Sequence, residues 1–474
     1  MSRENDGKKT IKASIVNIIS VGISMIVSLV SLSILSNLLT PSDMGISTSF
    51  ITLQTVISYI ITLSIYTSIN KVMLNKKIEL DNYFSTITIF TIISIIGYYI
   101  LYYIFKGSFN SLFGFNTLLM TFLFLSILFD NIVLYFFTKW TFKNEYIKVF
   151  IYNFITSPLS QILSIFLVLF CHTDKYWGKI IGLKALPIVI GILFLIYILI
   201  KGKFSFDKKY LKYGLQISTP FVAHLLSQVL LSNSDLLMIK SMVGAESAGI
   251  YSVAYTISNI VYSLIICILK PWSPWVYRRL DNDEIEPIYK NSSNIIILFF
   301  IITLGLITVA PEMIKTFLNS TYFSAVNIIV PISLGMYFQG LYVIFYDVEY
   351  YYEQGKIIAY YSILTAIINI ILNYIFIKNY GYTAAAYTTL ISYILLTVFN
   401  YYGMKKIGKK KIFDSKIILF YSLALFFLCF ANLYFINNFI IRYLIFIIAI
   451  IIIYILNRRN ILFIFNQVLN GKSK

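Results

Sequence analysis

The sequence predicts an all-α integral membrane protein of about 14 transmembrane helices, built as two parallel-repeat six-helix lobes followed by two C-terminal helices. Three observations predict it. Hydrophobic residues make up 59% of the 474 residues and charged residues only 12%, far from the balance of a soluble domain of that length. The apolar residues gather into about 14 runs long enough to cross a bilayer. A turn pattern in the first half also recurs about 204 positions later.

A helix crossing the roughly 30 Å hydrocarbon layer needs about 20 apolar residues at 1.5 Å each. Such runs lie at roughly 12–38, 46–69, 84–105, 116–138, 149–171, 179–200, 214–239, 248–270, 292–310, 325–346, 357–377, 382–401, 417–434 and 437–456. The first is too long for a signal-peptide core and has no small-residue cleavage site, so it is expected to stay as a helix. Lys and Arg crowd into alternate connections. One set, from Arg3, Lys8, Lys9 and Lys12 through Lys405, Lys406 and Lys409 to Lys474, holds 30 of them. The other holds seven, Lys106, Lys175, Lys179, Lys240, Lys315, Lys378 and Arg442, and Lys184 stands inside the sixth run. Positive charge is retained on the cytoplasmic side. Both termini are therefore expected in the cytoplasm, which requires an even number of crossings.

Several functions are excluded by what the chain lacks. A net charge of +18 would suggest nucleic acid in a soluble protein, but the loop bias accounts for it, and no nucleic-acid partner is expected. No Gly-rich phosphate loop with its Lys is present, so movement of a substrate must draw on a gradient or a partner. Cys171, Cys267 and Cys429 are scattered, and His172 and His224 are far apart. This leaves no disulfide framework, metal site, cofactor or enzyme-like constellation. The connections are too short for a catalytic domain outside the membrane.

The repeat is carried by turns. Pro41, Ser42, Asp43, Met44 and Gly45 correspond to Ala245, Glu246, Ser247, Ala248 and Gly249, and the two glycines are 204 positions apart. Gly178 and Gly381 repeat at 203. Six crossings separate each pair, so both halves point the same way through the membrane. The expected divisions are a lobe over 1–200, a second over 201–402, and two extra helices with a tail over 403–474. Polar residues of the first and seventh runs keep the same offset. Ser20, Ser24, Ser28 and Ser31 fall within roughly 80° of one another on a helix, and 204 residues later stand His224, Gln228, Ser232 and Asp235. A polar stripe inside a bilayer must face protein or a wet cavity, so both runs are expected to line the space between the halves. Close helix packing is the plainer account of the serines.

Together these residues resemble the polysaccharide or O-antigen flippases of the multidrug, oligosaccharidyl-lipid and polysaccharide exporter superfamily. The resemblance spans most of residues 12–402. It rests on Leu38, Leu39, Thr40, Pro41, Ser42, Asp43, Met44 and Gly45, and on Asp235 standing 14 residues before Gly249, Ile250, Tyr251 and Ser252. Trp272 and Pro274, Gly355 and Lys356, and Asn369, Asn373, Gly381, Ala384, Ala385 and Ala386 complete it, while Asn37 and Leu236 stand where the family often has a basic residue. The resemblance implies two six-helix lobes in a V that alternate between inward-open and outward-open states. It implies a substrate made of polyprenyl pyrophosphate carrying a short oligosaccharide, flipped across a bacterial cytoplasmic membrane, with a polysaccharide polymerase complex as a candidate partner. A cation- or proton-coupled multidrug exporter of the same superfamily is the alternative, a flipper of the cell-wall lipid precursor is a third reading, disfavoured by the missing cavity arginines, and a non-transport scaffold a further one.

A flippase of that kind needs fixed positive charge in its cavity. Lys184 is the foremost candidate for substrate binding, about six residues inside the end of its run with Pro187 one turn on; snorkelling to the headgroups is the competing account. His224, Gln228, Ser24 and Ser28 complete the expected cavity lining. Asp130 and Asp235 are the ion-coupling candidates, since an acid at such depth must be protonated, paired or wet. A structural partner for a lysine or a serine is the plainer role for Asp130. Asp347 and Glu349, close to the end of the tenth run, are expected to be solvated. Pro158, Pro187, Pro220 and Pro331 are expected to interrupt helices.

Overall fold

The computed structural model describes residues 2–75, 77–143, 145–407 and 412–469, with side chains described from residue 19 to residue 456. Lys76, Lys409, Lys410, Lys411, Lys472 and Lys474 of the basic set lie outside the described residues, as do the side chains of Arg3, Lys8, Lys9, Lys12, Arg458 and Arg459.

Among the described residues every regular element is helical: α1 (Ser2–Leu38), α2 (Pro41–Ile61), α3 (Ile69–Leu74), α4 (Leu80–Ile104), α5 (Lys106–Phe113), α6 (Thr117–Phe142), α7 (Tyr146–Phe154), α8 (Ser160–Phe170), α9 (Tyr176–Lys201), α10 (Lys208–Met242), α11 (Ala245–Asp281), α12 (Ile285–Phe317), α13 (Val326–Tyr351), α14 (Gly355–Ile407), α15 (Ser415–Tyr434) and α16 (Phe439–Leu469). Thirteen helical stretches are long and apolar enough to cross a membrane. One of them, α14, has 53 residues, about 80 Å at 1.5 Å per residue and twice what a crossing needs. It bends at Gly381, whose φ of 64° and ψ of −156° suit a residue without a Cβ. Two crossings therefore meet there with no loop, and the total is 14, as expected.

Local chemistry explains where the helices depart from the apolar runs. α2 begins at Pro41, earlier than its run. Thr40 and Asp43 cap each other reciprocally across its first turn, and proline suits the first helical position. The same run breaks after Ile61. Leu63 and Ser64 take left-handed φ of 48° and 49°, and a 3-10 turn over Ile65–Ser68 leads into α3. Ser94 Oγ donates to the freed carbonyl of Ile61 at 2.6 Å. The fifth crossing comprises α7, a π turn at Ile155–Leu159 containing Pro158, and α8. Proline has no N–H to give and crowds the turn before it, and Ser160 Oγ reaches back to the Ile155 carbonyl at 2.9 Å. Pro187, Pro220 and Pro331, by contrast, sit within continuous α9, α10 and α13.

The chain resolves into two compact units. The first comprises Met1–Val253, Leu318–Ser324 and Ala359–Ser392; the second comprises Ala254–Phe317, Ala325–Ile358 and Tyr393–Lys474. In the first, Phe50, Leu53, Leu123, Ile127 and Ile180 form one buried cluster, and Ile65, Tyr83, Ile132 and Tyr135 another. α8 lies along α9 so closely that Gly182 faces the Ser164 backbone directly, the small-residue packing that replaces hydrophobic drive in lipid. In the second unit α12 packs against α13, α15 and α16, and Tyr337 Oη and Ser422 Oγ hydrogen bond at 2.9 Å.

Candidate transport site

Two polar networks lie within the membrane-spanning part of the first unit. Lys184 of α9 places its Nζ 2.8 Å from Asp130 Oδ2 of α6. Gln54 of α2 donates Nε2 to the same oxygen at 2.7 Å. The lysine and aspartate side chains are 14% and 30% exposed, and a charged pair with that access is not tolerated against lipid tails. The Gln54 residue is 3% exposed, and its carbonyl oxygen Oε1 has no hydrogen-bond partner among the described residues. Next to Asp130, Asn131 Nδ2 donates to Ser58 Oγ of α2 at 2.9 Å. One lysine candidate and one acidic candidate, proposed separately from the sequence, thus form a single ion pair.

The second network surrounds Asp235, which is 1% exposed. Its Oδ1 accepts the Leu236 N–H at 2.9 Å. Its Oδ2 accepts the Tyr251 hydroxyl of α11 and, at 3.2 Å, the Thr389 hydroxyl of α14. Asn369 extends the network by donating to Ser392 at 3.1 Å, and Asn373 donates to Asn369 Oδ1 at 3.1 Å. Three donors on one carboxylate stabilise a buried acid that would otherwise cost several kcal/mol to bury.

The other candidates belong to neither network. Gln228 Nε2 donates to Ser362 at 3.1 Å, His224 is half-buried, and Ser24 and Ser28 are half-buried on α1. Lys184 makes no hydrogen bond to His224 or Asp235 among the described residues.

Charges gather where connections meet. At the end of α1, Lys175 Nζ reaches the Leu38 carbonyl at 3.2 Å. Lys240 reaches the carbonyls of Phe113 at 2.8 Å and Gly114 at 3.1 Å, 3.1 Å over the Phe115 ring. Cations on the open carbonyls of a helix end are favourable. Lys179 is buried beside Met44, its Nζ 2.7 Å from the sulfur. Gly45 lies against Ala245 and Gly249 against Pro41, backbone to backbone.

Two expectations need correcting in the second unit. Asp347 and Glu349 are not solvated: they are 5% and 0% exposed, because α13 is enclosed on nearly every side along its length. Ser273 and Tyr277 of α11 donate to Asp347, whereas neither carboxyl oxygen of Glu349 has a partner among the described residues. Arg442, counted above with the loop charges, is 1% exposed and donates to the Thr308 carbonyl and to Glu312 of α12. Sequence reasoning missed Gln54 and Thr389, uncharged residues that no motif distinguishes from ordinary polar residues in an apolar run, and it quoted Tyr251 only as part of a turn, without linking it to Asp235.

Fourteen crossings among the described residues, with carboxylates and a lysine held between them, define a multi-pass membrane protein with the fold of the multidrug, oligosaccharidyl-lipid and polysaccharide exporter superfamily. A solved structure of the lipid II flippase MurJ in an inward closed conformation is similar over 95% of this chain and 100% of its own, at 19% identity and a TM-score of 0.71. An inward-facing multidrug resistance MATE family transporter is similar over 84% and 99%, at 14% identity and a TM-score of 0.62. The MATE transporter VcmN of Vibrio cholerae is similar over 84% and 96%, at 13% identity and a TM-score of 0.55. No curated protein matches the chain by sequence. Residues 34–327 match the family described as polysaccharide biosynthesis protein, and the chain belongs to that family.

Proposed function

We propose that the protein flips a polyprenyl-pyrophosphate-linked oligosaccharide repeat unit across the bacterial cytoplasmic membrane, for synthesis of a surface polysaccharide such as O-antigen or capsule. The observation that carries this reading is Lys184, a cation held inside the membrane by Asp130 with enough access to meet an incoming anion. Membership of a polysaccharide biosynthesis family supports the class of cargo. The two lobes, 1–200 and 201–402, alternate in access, with 403–474 appended. The basic bias of alternate connections puts both termini in the cytoplasm. Lys184, His224, Gln228, Ser24 and Ser28 contact the headgroup, Asp130 and Asp235 couple the cycle to an ion, and a polymerase complex receives the product.

A strain lacking the gene is expected to lose its surface polysaccharide while lipid-linked repeat units accumulate inside. Normal polymer on that strain would count against flipping. The likeness to MATE transporters favours a second reading, drug export, under which the same strain would instead become sensitive to cationic drugs with its surface polymer unchanged.

A further inference from the structure

The oxygen left over at Gln54 points to a proton site. Gln54 Nε2 donates to Asp130 Oδ2, which also receives Lys184. Gln54 Oε1 is buried and accepts nothing, a loss of about 1–3 kcal/mol for an amide carbonyl out of water. A carboxylate has no hydrogen to offer it. A carboxylic acid has one, and an acid and an amide pair through two bonds at once: the amide N–H to one carboxyl oxygen and the acid O–H to the amide oxygen. The first of these bonds already exists.

We propose that Asp130 binds a proton when Lys184 turns to the diphosphate of the substrate, and that Gln54 Oε1 is the acceptor that stabilises the protonated acid. This rests on the reading of Lys184 as a phosphate ligand. In the empty state Lys184 and Asp130 neutralise one another. An arriving diphosphate takes the ammonium, and Asp130 would be left as an unpaired anion next to a second anion in a poorly screened space. A proton from water then forms an O–H bond at Asp130 Oδ1 and is shared with Gln54 Oε1, while Nε2 keeps its bond to Oδ2. When Lys184 returns, the proton goes back to water. Each headgroup bound is thus matched by one proton taken up. Few other groups can supply that compensation. α7, which packs on α6 through Tyr152 and Phe137, carries Tyr146, Lys148 and Tyr152. α2 carries no charged residue beyond Asp43 in its first turn, and residues 84–104 of α4 carry none.

The test uses the full chain in two arms. Lys184→Gln empties the ion pair without any ligand, and its infrared difference spectrum against the Lys184→Gln, Asp130→Asn protein is expected to show the carbonyl stretch of a protonated carboxyl at pH 7.5. Its absence overturns the proposal whatever the substrate is. In the second arm, calorimetry with farnesyl pyrophosphate in buffers of different ionisation enthalpy is expected to show one proton taken up per molecule bound, with affinity falling about tenfold per pH unit above neutral. Asp130→Asn is expected to bind without proton uptake and with little pH dependence, and Gln54→Leu to bind with a reduced uptake at pH 7.5. Binding by the wild type without proton uptake, or unchanged uptake in Asp130→Asn, overturns the proposal. An infrared band in a protein that binds no pyrophosphate lipid would sustain the proton site and sink the flippase reading instead.

Discussion

Gly45 and Gly249 lie in each other's turns: a Cβ on Gly45 would collide with the Ala245 carbonyl, and one on Gly249 with that of Pro41. The two clashes are the same contact seen from either repeat, because Pro41 and Ala245 are also 204 positions apart. A contact that exchanges its own partners under the repeat is what a local two-fold relation produces, and it needs a residue with no side chain on both sides.

Gly45→Ala and Gly249→Ala are each expected to cost about 1–3 kcal/mol, the ordinary range for overpacking against rigid backbone. Thermal unfolding in detergent measures it, with Gly22→Ala as the control, since nothing lies within 4 Å of a Cβ there. A Gly45→Ala protein as stable as the control would show that the turns separate at no cost.

Lys184→Ala is expected to abolish complementation of a deletion strain, while Lys184→Arg retains part of it, because charge matters more than shape for a mobile phosphate partner. Membrane protein levels must be compared alongside, since removing one member of a buried pair is itself destabilising. Full complementation by well-expressed Lys184→Ala would reduce the pair with Asp130 to a structural one.

Glu349→Met is expected to raise stability by about 1–3 kcal/mol of removed desolvation, seen as a higher melting temperature, since no hydrogen bond among the described residues is lost with the carboxyl. Unchanged or lowered stability, read by the same melting assay, would mean that this acid has a partner in solution.

Asp414 gives a pH effect expected outside the crossings. Its carboxylate accepts the Tyr289 hydroxyl at 2.6 Å and caps α15 through the backbone N–H groups of Lys416 and Ile417. The tyrosine hydrogen bond, followed by the caps, holds its pKa below the usual carboxylate value. A lowered folded value means that the stabilisation is complete above the unfolded pKa of about 4 and is lost as pH falls through the folded one. Melting measured from pH 6 to pH 3 should therefore decline more steeply for the wild type than for Asp414→Asn, which still caps. Parallel curves would remove the charge from the account.

The crossings were legible because the bilayer demands a length and a composition that few other structures share. Gly381 was legible as a turn for the same reason. Asp130 and Lys184 were each conspicuous as charges at depth, but their union was not, because nothing in a linear chain states which crossings are neighbours. Gln54 was invisible. It is one polar residue in an apolar run, and its importance comes only from the two groups that α6 and α9 bring to it. Glu349 was misread for a different reason: distance from the end of a run measures depth along the membrane normal, whereas exposure also depends on how many helices surround the one that carries it. Arg442 failed by the same logic.

The π turn at Ile155–Leu159 has the arithmetic of a one-residue insertion. An α-helix advances about 100° per residue, so one supernumerary residue rotates everything before it by that amount relative to everything after it. Tyr152 stands eight residues before Ser160 and would sit about 80° from it on an unbroken helix; with one residue absorbed by the wider turn, the two come within about 20°. The phenol thereby comes round toward the face that carries Ser160 and Ser164, which lies against α9 at Gly182, and it packs on Phe137 of α6 with ring centroids 4.5 Å apart. Deleting a single residue from the turn would rotate the whole of α7, Tyr152 included, by about 100° relative to α8. In this crossing the spacing of the letters, as much as their identity, decides which side chains face α6.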